Sequence, residues 1–332
     1  MHITDLPTPA VIIDLDALDA NLATMAAARP GASLRPHVKA HKCTALAQRQ
    51  LDHGHISLTC ATAREVIGLA AAGVRADVLL ANEVVDTGRL AAMVEAMADI
   101  TVAVDSPETI AAAATAGVRR CLIDIDIGLP RCGAAPDTAG VLADAARLAG
   151  LEVRGVMGYE GHLMMVTDRA ERAEAVAAAM ELLVGAAAEV GGEIISAGGT
   201  GTYDLHTASG VSEVQAGSYA LMDTHYGQLG LPFAQAVWVV GTVISTATNH
   251  AVADIGLKAL GMDHGNPTIE GARVWFCSDE HLTFAPAEAV RVGERVRVTP
   301  AHVDPTMAMH DTAWVVRGDE VVDRWAIDLR GW

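Results

Sequence analysis

Residues 35–42 read RPHVKAHK, with two lysines, two histidines and an arginine among three uncharged neighbours. Read as a strand, Arg35, His37, Lys39 and His41 fall on one face, and Pro36, Val38, Ala40 and Lys42 on the other. A strand enclosed by helices ordinarily reads as an unbroken apolar run, so a cationic row on its inner face requires an anion there. A solvated edge strand is the alternative.

Outward from this stretch, apolar runs and Ala-rich segments alternate from about residue 34 to 225. The runs LRPHVKAH, ISLTCAT, VLLANE, ITVAVDS, CLIDIDIG, VRGVMGYE, EIISAGG and EVQAGSYALM read as strands, and segments such as AREVIGLAAAG and SPETIAAAATAG read as amphipathic helices. Eight strands in βα alternation predict a parallel (β/α)8 TIM barrel, with a doubly wound open sheet as the alternative. After Leu231 the rhythm changes to period two. AVWVVGTVISTAT, HAVADIG, RVWFCS, HLTFA, ERVRVTPAH, DTAWVVRG and EVVDRWAI predict an all-β domain. The expected division is a barrel over 8–230 and a β-strand domain over 231–332 joined by residues 1–7, although the early TPAVIIDLD could pair with either.

Composition narrows the function. The 332 residues are 51% hydrophobic and only 4% aromatic, ample for a large core and unlike a disordered chain. Lys and Arg number 23 against 41 Asp and Glu, a net charge of −18 that repels nucleic acid and anionic membranes. Cys43, Cys60, Cys121, Cys132 and Cys277 form no CxxC pair, which fits reduced thiols in the cytoplasm. The opening MHITDLPTPAVIIDLD lacks the apolar core of an export signal. Residues 224–253 carry no Asp, Glu, Lys or Arg, yet their Pro, Gln, Asn, His and β-branched residues favour buried strands over a membrane span.

Four groups of residues carry chemistry. A lysine beside other cations and away from bulk water has its ammonium form disfavoured, which suits Lys39 for condensation with a carbonyl; a snorkelling surface lysine, the reading given to Lys42, is the alternative. GGTGT, Gly198–Thr202, follows the seventh strand, where barrels commonly hold phosphate, and QAGSY, Gln215–Tyr219, ends the eighth. Each is also a plain Gly-rich turn. AHVDPT, Ala301–Thr306, puts His302 and Asp304 at i and i+2, so that on a strand they present an imidazole nitrogen and a carboxylate to one point. Such a pair leaves room for waters and a substrate hydroxyl around Mn²⁺, Mg²⁺ or Zn²⁺, unless the spacing is accidental. Arg131 and the pair Tyr159 and Glu160 stand at strand carboxyl ends, where barrel active sites are built. A surface ion pair for the arginine and core packing for the tyrosine are the bland readings.

In order, TPAVIIDLDALDAN, RPHVKAHK, IGLPRCG, GGTGT, EVQAGSY, ADIGLKAL, SDEH and HVDPT resemble the fold-type III pyridoxal phosphate (PLP) enzymes of the D-threonine aldolase and D-serine dehydratase family, whose barrel is alanine racemase-like. The resemblance spans about residues 6–329. It implies that Lys39 bonds the cofactor aldehyde, Arg131 lies near cofactor and substrate carboxylate, and Tyr159 faces the pyridine ring. Thr200, Gly201 and Thr202, with Gly217, Ser218 and Tyr219, correspond to the phosphate cradle. Gln215 stands where related alanine racemases place an arginine against the ring nitrogen, so a weaker electron sink is implied. His302 and Asp304 correspond to the metal pair, with Mn²⁺ or Mg²⁺ favoured over Zn²⁺.

Dehydratases of this family usually carry HxC, and aldolases HxD; this chain reads HVD. The resemblance therefore implies cleavage of a small D-3-hydroxy amino acid, D-threonine as the type, to glycine and an aldehyde. Dehydration of D-serine or D-3-hydroxyaspartate is the runner-up, and a PLP-carrying regulatory protein without turnover the remote alternative. A homodimer is implied by the relatives. The chain departs from the aldolase-like PTVNLYD, reading MAMHD after Pro305 and Thr306, which leaves the β substituent open.

Overall fold

The computed structural model describes residues 1–332. Its first strand, β1 (Ala10–Asp14), leads into helix α1 (Leu15–Ala28) and is remote in sequence from the strands that flank it. Next come α2 (Thr44–Asp52), β2 (Ser57–Cys60), α3 (Ala63–Ala71), β3 (Asp77–Leu80), α4 (Thr87–Ala96), β4 (Thr101–Val104), α5 (Pro107–Thr115) and β5 (Arg120–Asp124). The alternation continues through α6 (Ala139–Leu148), β6 (Glu152–Met157), α7 (Arg169–Val190), β7 (Ile194–Ala197) and β8 (Glu213–Val214). Helix starts are written locally. Ser106 caps α5, accepting the Thr109 amide ahead of Pro107, and Asp168 caps α7 by accepting the amides of Ala170 and Glu171.

Strands β2 to β8 form one parallel sheet in sequential order. Its two ends are joined by Leu34–His37: Leu34 bridges Val214 and His37 bridges Thr59, with Arg35 and His37 donating their amides to the carbonyls of Val214 and Ala216. This segment takes the place of the first strand, and the barrel closes. Asp77 and Leu79 alternate with Val78 on β3, as Thr101 and Ala103 do with Val102 on β4. Leu79, Ala103, Leu122, Met157 and Ile194 pack as one apolar cluster. Asp77 and Thr101 sit one step nearer the amino-terminal ends, where Arg35 and Arg154 meet them.

The second sheet contains β1 and the later strands β9 (Val237–Thr246), β10 (Ala251–Ala253), β11 (Ala272–Cys277), β12 (Leu282–Pro286), β13 (Arg295–Val298), β14 (Thr312–Arg317) and β15 (Glu320–Ala326). The one helix among them is the short α8 (Val303–Met309). β1 lies between β9, antiparallel, and β14, parallel, and Ile12 packs with Ile3, Leu6, Ala10, Val240 and Val316. The TPAVIIDLD segment thus belongs to this sheet. Compact units divide as Met1–Thr24, Ala40–Ala45 and Ser218–Arg330 on one side, and Met25–Lys39, Leu46–Gly217 and Gly331–Trp332 on the other. The uncharged stretch 224–253 supplies the turn Tyr226–Leu229, β9 and β10, and no helix is long and apolar enough to cross a membrane.

Candidate active site

The strand alternation proposed for residues 35–42 lasts only to His37. Val38–Ala40 is a 3-10 turn, so Lys39 leaves the barrel wall on a turn, and Lys42 takes a left-handed φ of 50°. The same-face row of four cations is thereby replaced, because the four residues Leu34–His37 suffice to bridge the neighbouring strands. Arg35 does find its anion, but inside the protein. It is buried, donates from Nε to Glu213 Oε1 at 2.7 Å and reaches Asp77 Oδ2 at 2.9 Å. Burial alone would raise the Asp77 carboxyl, yet Arg35 and Arg154 carry it below its usual range.

At the carboxyl ends of the barrel strands, Tyr159 is the meeting point. The Lys39 Nζ lies 5.9 Å and the Arg131 Cζ 5.5 Å from its ring centroid, both within cation–π range. Arg131 is exposed, and together with Cys132 and Tyr159 it lines a small cleft against Asp124 and Ile125. Asp124, which no motif singles out, is buried there. Burial and the neighbouring Glu83 push its carboxyl well above the ordinary value, and Arg131 pulls the other way.

Glu160 was expected at the rim beside Tyr159. Instead it is wholly buried beneath the Gly198–Thr202 loop, because its carboxylate accepts the Gly198 amide at 3.1 Å and the Thr202 hydroxyl at 2.7 Å. The proton of the Thr202 hydroxyl is therefore used within the protein. Close approach explains the glycines: a Cβ on Gly201 would fall 2.5 Å from the Met164 carbonyl oxygen, and one on Gly199 2.9 Å from Met164 Sδ. Thr200 lies buried between them.

After β8, Gln215 donates to Ser196 Oγ at 2.9 Å, and Ser196 donates to Glu213 Oε1 at 2.8 Å, which ties Gln215 to the Arg35 network. Gly217 precedes the 3-10 turn Ser218–Ala220. In that turn Ser218 donates to Asp304 Oδ1 at 3.4 Å, and the buried Tyr219 packs on Phe233 with ring centroids 5.6 Å apart.

His302 and Asp304 converge, but not as strand neighbours. His302 is the N-cap of α8 and Asp304 lies in its first turn, since Pro305 is acceptable there and not in a strand interior. His302 Nε2 and Asp304 Oδ1 stand 3.9 Å apart, a span that two metal bonds of about 2.1 Å can bridge. The other ring nitrogen, Nδ1, is 2.7 Å from Asp263 Oδ2. His264 stacks on His302 at 3.9 Å and 10°, and His225 lies 4.1 Å beyond it. Asp263, His264 and His302 also bring one ligand atom each within 4.8 Å of one another, a second grouping able to hold a metal ion. Asp223 accepts the Val303 amide at 2.9 Å, and burial raises its carboxyl to about 6. Asp263, His264 and His225 were not foreseen; each stands far from HVDPT in sequence, without a motif of its own. Of the residues departing from the aldolase pattern, Met307–Met309 lie on α8 with Met307 buried, His310 is its C-cap and Asp311 follows.

A lysine amine and an arginine about one aromatic face, with a glycine turn after the seventh strand position, fit the aldehyde, ring and phosphate of PLP together with the carboxylate of an amino acid. Barrel and site define an alanine-racemase-like protein of fold type III. Residues 13–225 match the family described as "Alanine racemase, N-terminal domain", and residues 236–316 the "Putative serine dehydratase domain". The chain is 36% identical to the D-threonine aldolase of Arthrobacter sp, over 98% of this chain and 93% of the relative. It is 34% identical to the 3-hydroxy-D-aspartate aldolase of Paracoccus denitrificans (strain Pd 1222), over 100% and 94% respectively. The crystal structure of D-threonine aldolase from Filomicrobium marinum superposes with a TM-score of 0.94 at 34% identity, covering 99% of this chain and 97% of that one. The chain belongs to the D-threonine aldolase and D-serine dehydratase family of fold-type III PLP enzymes.

Proposed function

We propose that this protein is a PLP- and divalent-metal-dependent lyase that cleaves D-3-hydroxy amino acids of the D-threonine type to glycine and an aldehyde. The observation that carries this reading is the pairing of an imidazole with a carboxylate, not a thiolate, in His302 and Asp304. Its similarity to two aldolases along nearly its whole length supports the same reaction. Those relatives act on substrates whose β substituents are a methyl group and a carboxylate.

When bound, PLP supplies a sink for the electron pair left by Cα–Cβ cleavage, and a cation lowers the pKa of a coordinated hydroxyl. The chain's own groups do the placing. Lys39 tethers the cofactor aldehyde, and Tyr159 lies against the ring. Thr200, Gly201, Thr202, Gly217, Ser218 and Tyr219 cradle the phosphate. Gln215 meets the ring nitrogen with a neutral amide, which leaves that nitrogen less readily protonated than an acid would. Arg131 fixes the substrate carboxylate with its planar fork. His302 and Asp304 hold the ion, and this hard N/O set suits Mn²⁺ or Mg²⁺ better than Zn²⁺. On this reading the barrel binds the cofactor and the β domain carries the metal motif, with the boundaries 8–230 and 231–332 shifted because residues 8–24 and 218–230 group with the later strands. A homodimer in the cytoplasm completes the proposal, supported by the family and by the thiols carried by all five cysteines.

The serine dehydratase match over 236–316 favours one second reading, β-elimination of water from D-serine or D-3-hydroxyaspartate. Product analysis decides. The holoenzyme is given D-threonine, L-threonine, D-serine or D-3-hydroxyaspartate, with Mn²⁺ or with EDTA. Glycine plus aldehyde from a D-substrate, abolished by EDTA, is expected; keto acid plus ammonia as sole products overturns the aldolase reading. Cofactor binding without turnover of any substrate would leave only the regulatory alternative.

A further inference from the structure

Glu160 costs the fold something that an apolar residue would not. It is 0% exposed, in the stretch just beyond β6 that also carries Tyr159, and a carboxylate so placed must be fully satisfied. Its satisfaction is specific. Oε2 accepts the Gly198 amide at 3.1 Å, while Oε1 accepts the Thr202 hydroxyl at 2.7 Å and lies 3.0 Å from His206 Nε2. The Thr202 oxygen in turn accepts the Gly199 amide at 3.2 Å. Thus the first two amides of the glycine loop are both held from behind, one directly and one through a hydroxyl.

His206 closes the arrangement. Its other nitrogen lies 3.3 Å from Ser209 Oγ, and its ring sits so near the loop that a Cβ on Gly198 would come within 2.8 Å of Nε2. Gly198 has a φ of +82°, open to glycine at little cost. Burial pushes the Glu160 carboxyl up, but the hydrogen bonds from His206 and Thr202 carry it below its ordinary value, which keeps it an acceptor on every side. Two segments distant in the chain, Glu160 and the run from Gly198 to Ser209, therefore fix one turn of backbone, and neither Glu160 nor His206 is needed to contact a ligand.

We propose that Glu160 and His206 are positioning residues that preorganise the Gly198–Thr202 loop to receive the phosphate of the cofactor. The inference rests on reading that loop as part of the phosphate cradle, and the test separates the two. Preorganisation strengthens binding by removing the cost of ordering the loop when the anion arrives. The effect is confined to ligands that carry the phosphate, which a merely structural role would not be.

The experiment compares the affinities of apo wild type, Glu160→Gln and Thr202→Val for PLP and for pyridoxal, followed by absorbance, with inorganic phosphate as a competitor. Wild type is expected to prefer PLP and to lose part of that preference to phosphate. Glu160→Gln keeps the shape but replaces one acceptor oxygen with a donor, and should weaken PLP by about tenfold or more, as for a hydrogen bond to a charged group, with pyridoxal affinity unchanged. Thr202→Val cuts the link to Gly199 and should show the same split, so it stands in should Glu160→Gln fail to fold. PLP and pyridoxal weakened alike in both variants, or PLP affinity unchanged, overturns the proposal. A wild type indifferent to the phosphate group overturns the cradle reading and the proposal with it.

Discussion

His302 turns Nδ1 to Asp263 Oδ2 at 2.7 Å and Nε2 to Asp304 Oδ1 at 3.9 Å, so that its two nitrogens serve different carboxylates. The first contact fixes the tautomer and ring orientation, leaving the Nε2 lone pair to a cation. Asp263→Ala should weaken Mn²⁺ binding by roughly 10- to 100-fold, as loss of an outer-shell carboxylate does. Titration of the metal-stripped protein with Mn²⁺ measures it; undiminished affinity would show that Asp263 does not orient the ring.

Asp304→Cys changes the donor set from hard N/O to mixed N/S, and softer ligands select Zn²⁺. Competition between Mn²⁺ and Zn²⁺ should move toward zinc relative to wild type. Assayed with D-3-hydroxyaspartate, the same variant reports whether the donor at this position also directs the choice between carbon–carbon cleavage and loss of water.

Arg131, 5.5 Å from the Tyr159 ring centroid, has a planar fork that lysine lacks. Arg131→Lys should raise KM for the amino acid by about tenfold, with a smaller change in kcat, as removal of ground-state binding predicts. A lowered kcat at constant KM would assign the arginine to the transition state alone.

The Arg35 network is structural, and acid should expose it. Asp77→Asn leaves the buried guanidinium with one carboxylate fewer and should cost roughly 2–3 kcal/mol at neutral pH. Because the folded-state pKa of Asp77 is depressed by Arg35 and Arg154, its contribution is complete above the ordinary carboxylate range and is lost as pH falls through the lowered folded value. Urea unfolding at pH 7 and at about pH 3 should therefore find the gap between wild type and variant wide at the first and narrowed at the second. An equal gap at both would place the stabilisation elsewhere.

The barrel was legible because its strands are separate apolar runs with helices between, and the later sheet because its period falls to two. What escaped depends on chain direction over one or two residues or on partners distant in sequence. Leu34–His37 is extended only long enough to bridge β8 and β2, so Lys39 sits on a turn that period-two reading carries through. His302–Asp304 reads as strand, ended by Pro305, because HxD has the right spacing; the Asp-Pro pair inside a helical first turn is the contrary signal. Glu160 shows the limit of reading function from position. Its place next to Tyr159 was visible, but whether it faced the cleft or the interior depended on His206, a lone histidine forty-six residues away.

β1 is enclosed on both edges by strands that follow it by more than two hundred residues, β9 and β14. During synthesis it emerges with no partner, and its apolar side chains and unpaired backbone must wait while the whole barrel is translated. A ribosome stalled before residue 237 would release a chain whose leading strand has nowhere to pair, a species exposed to aggregation and to proteolysis.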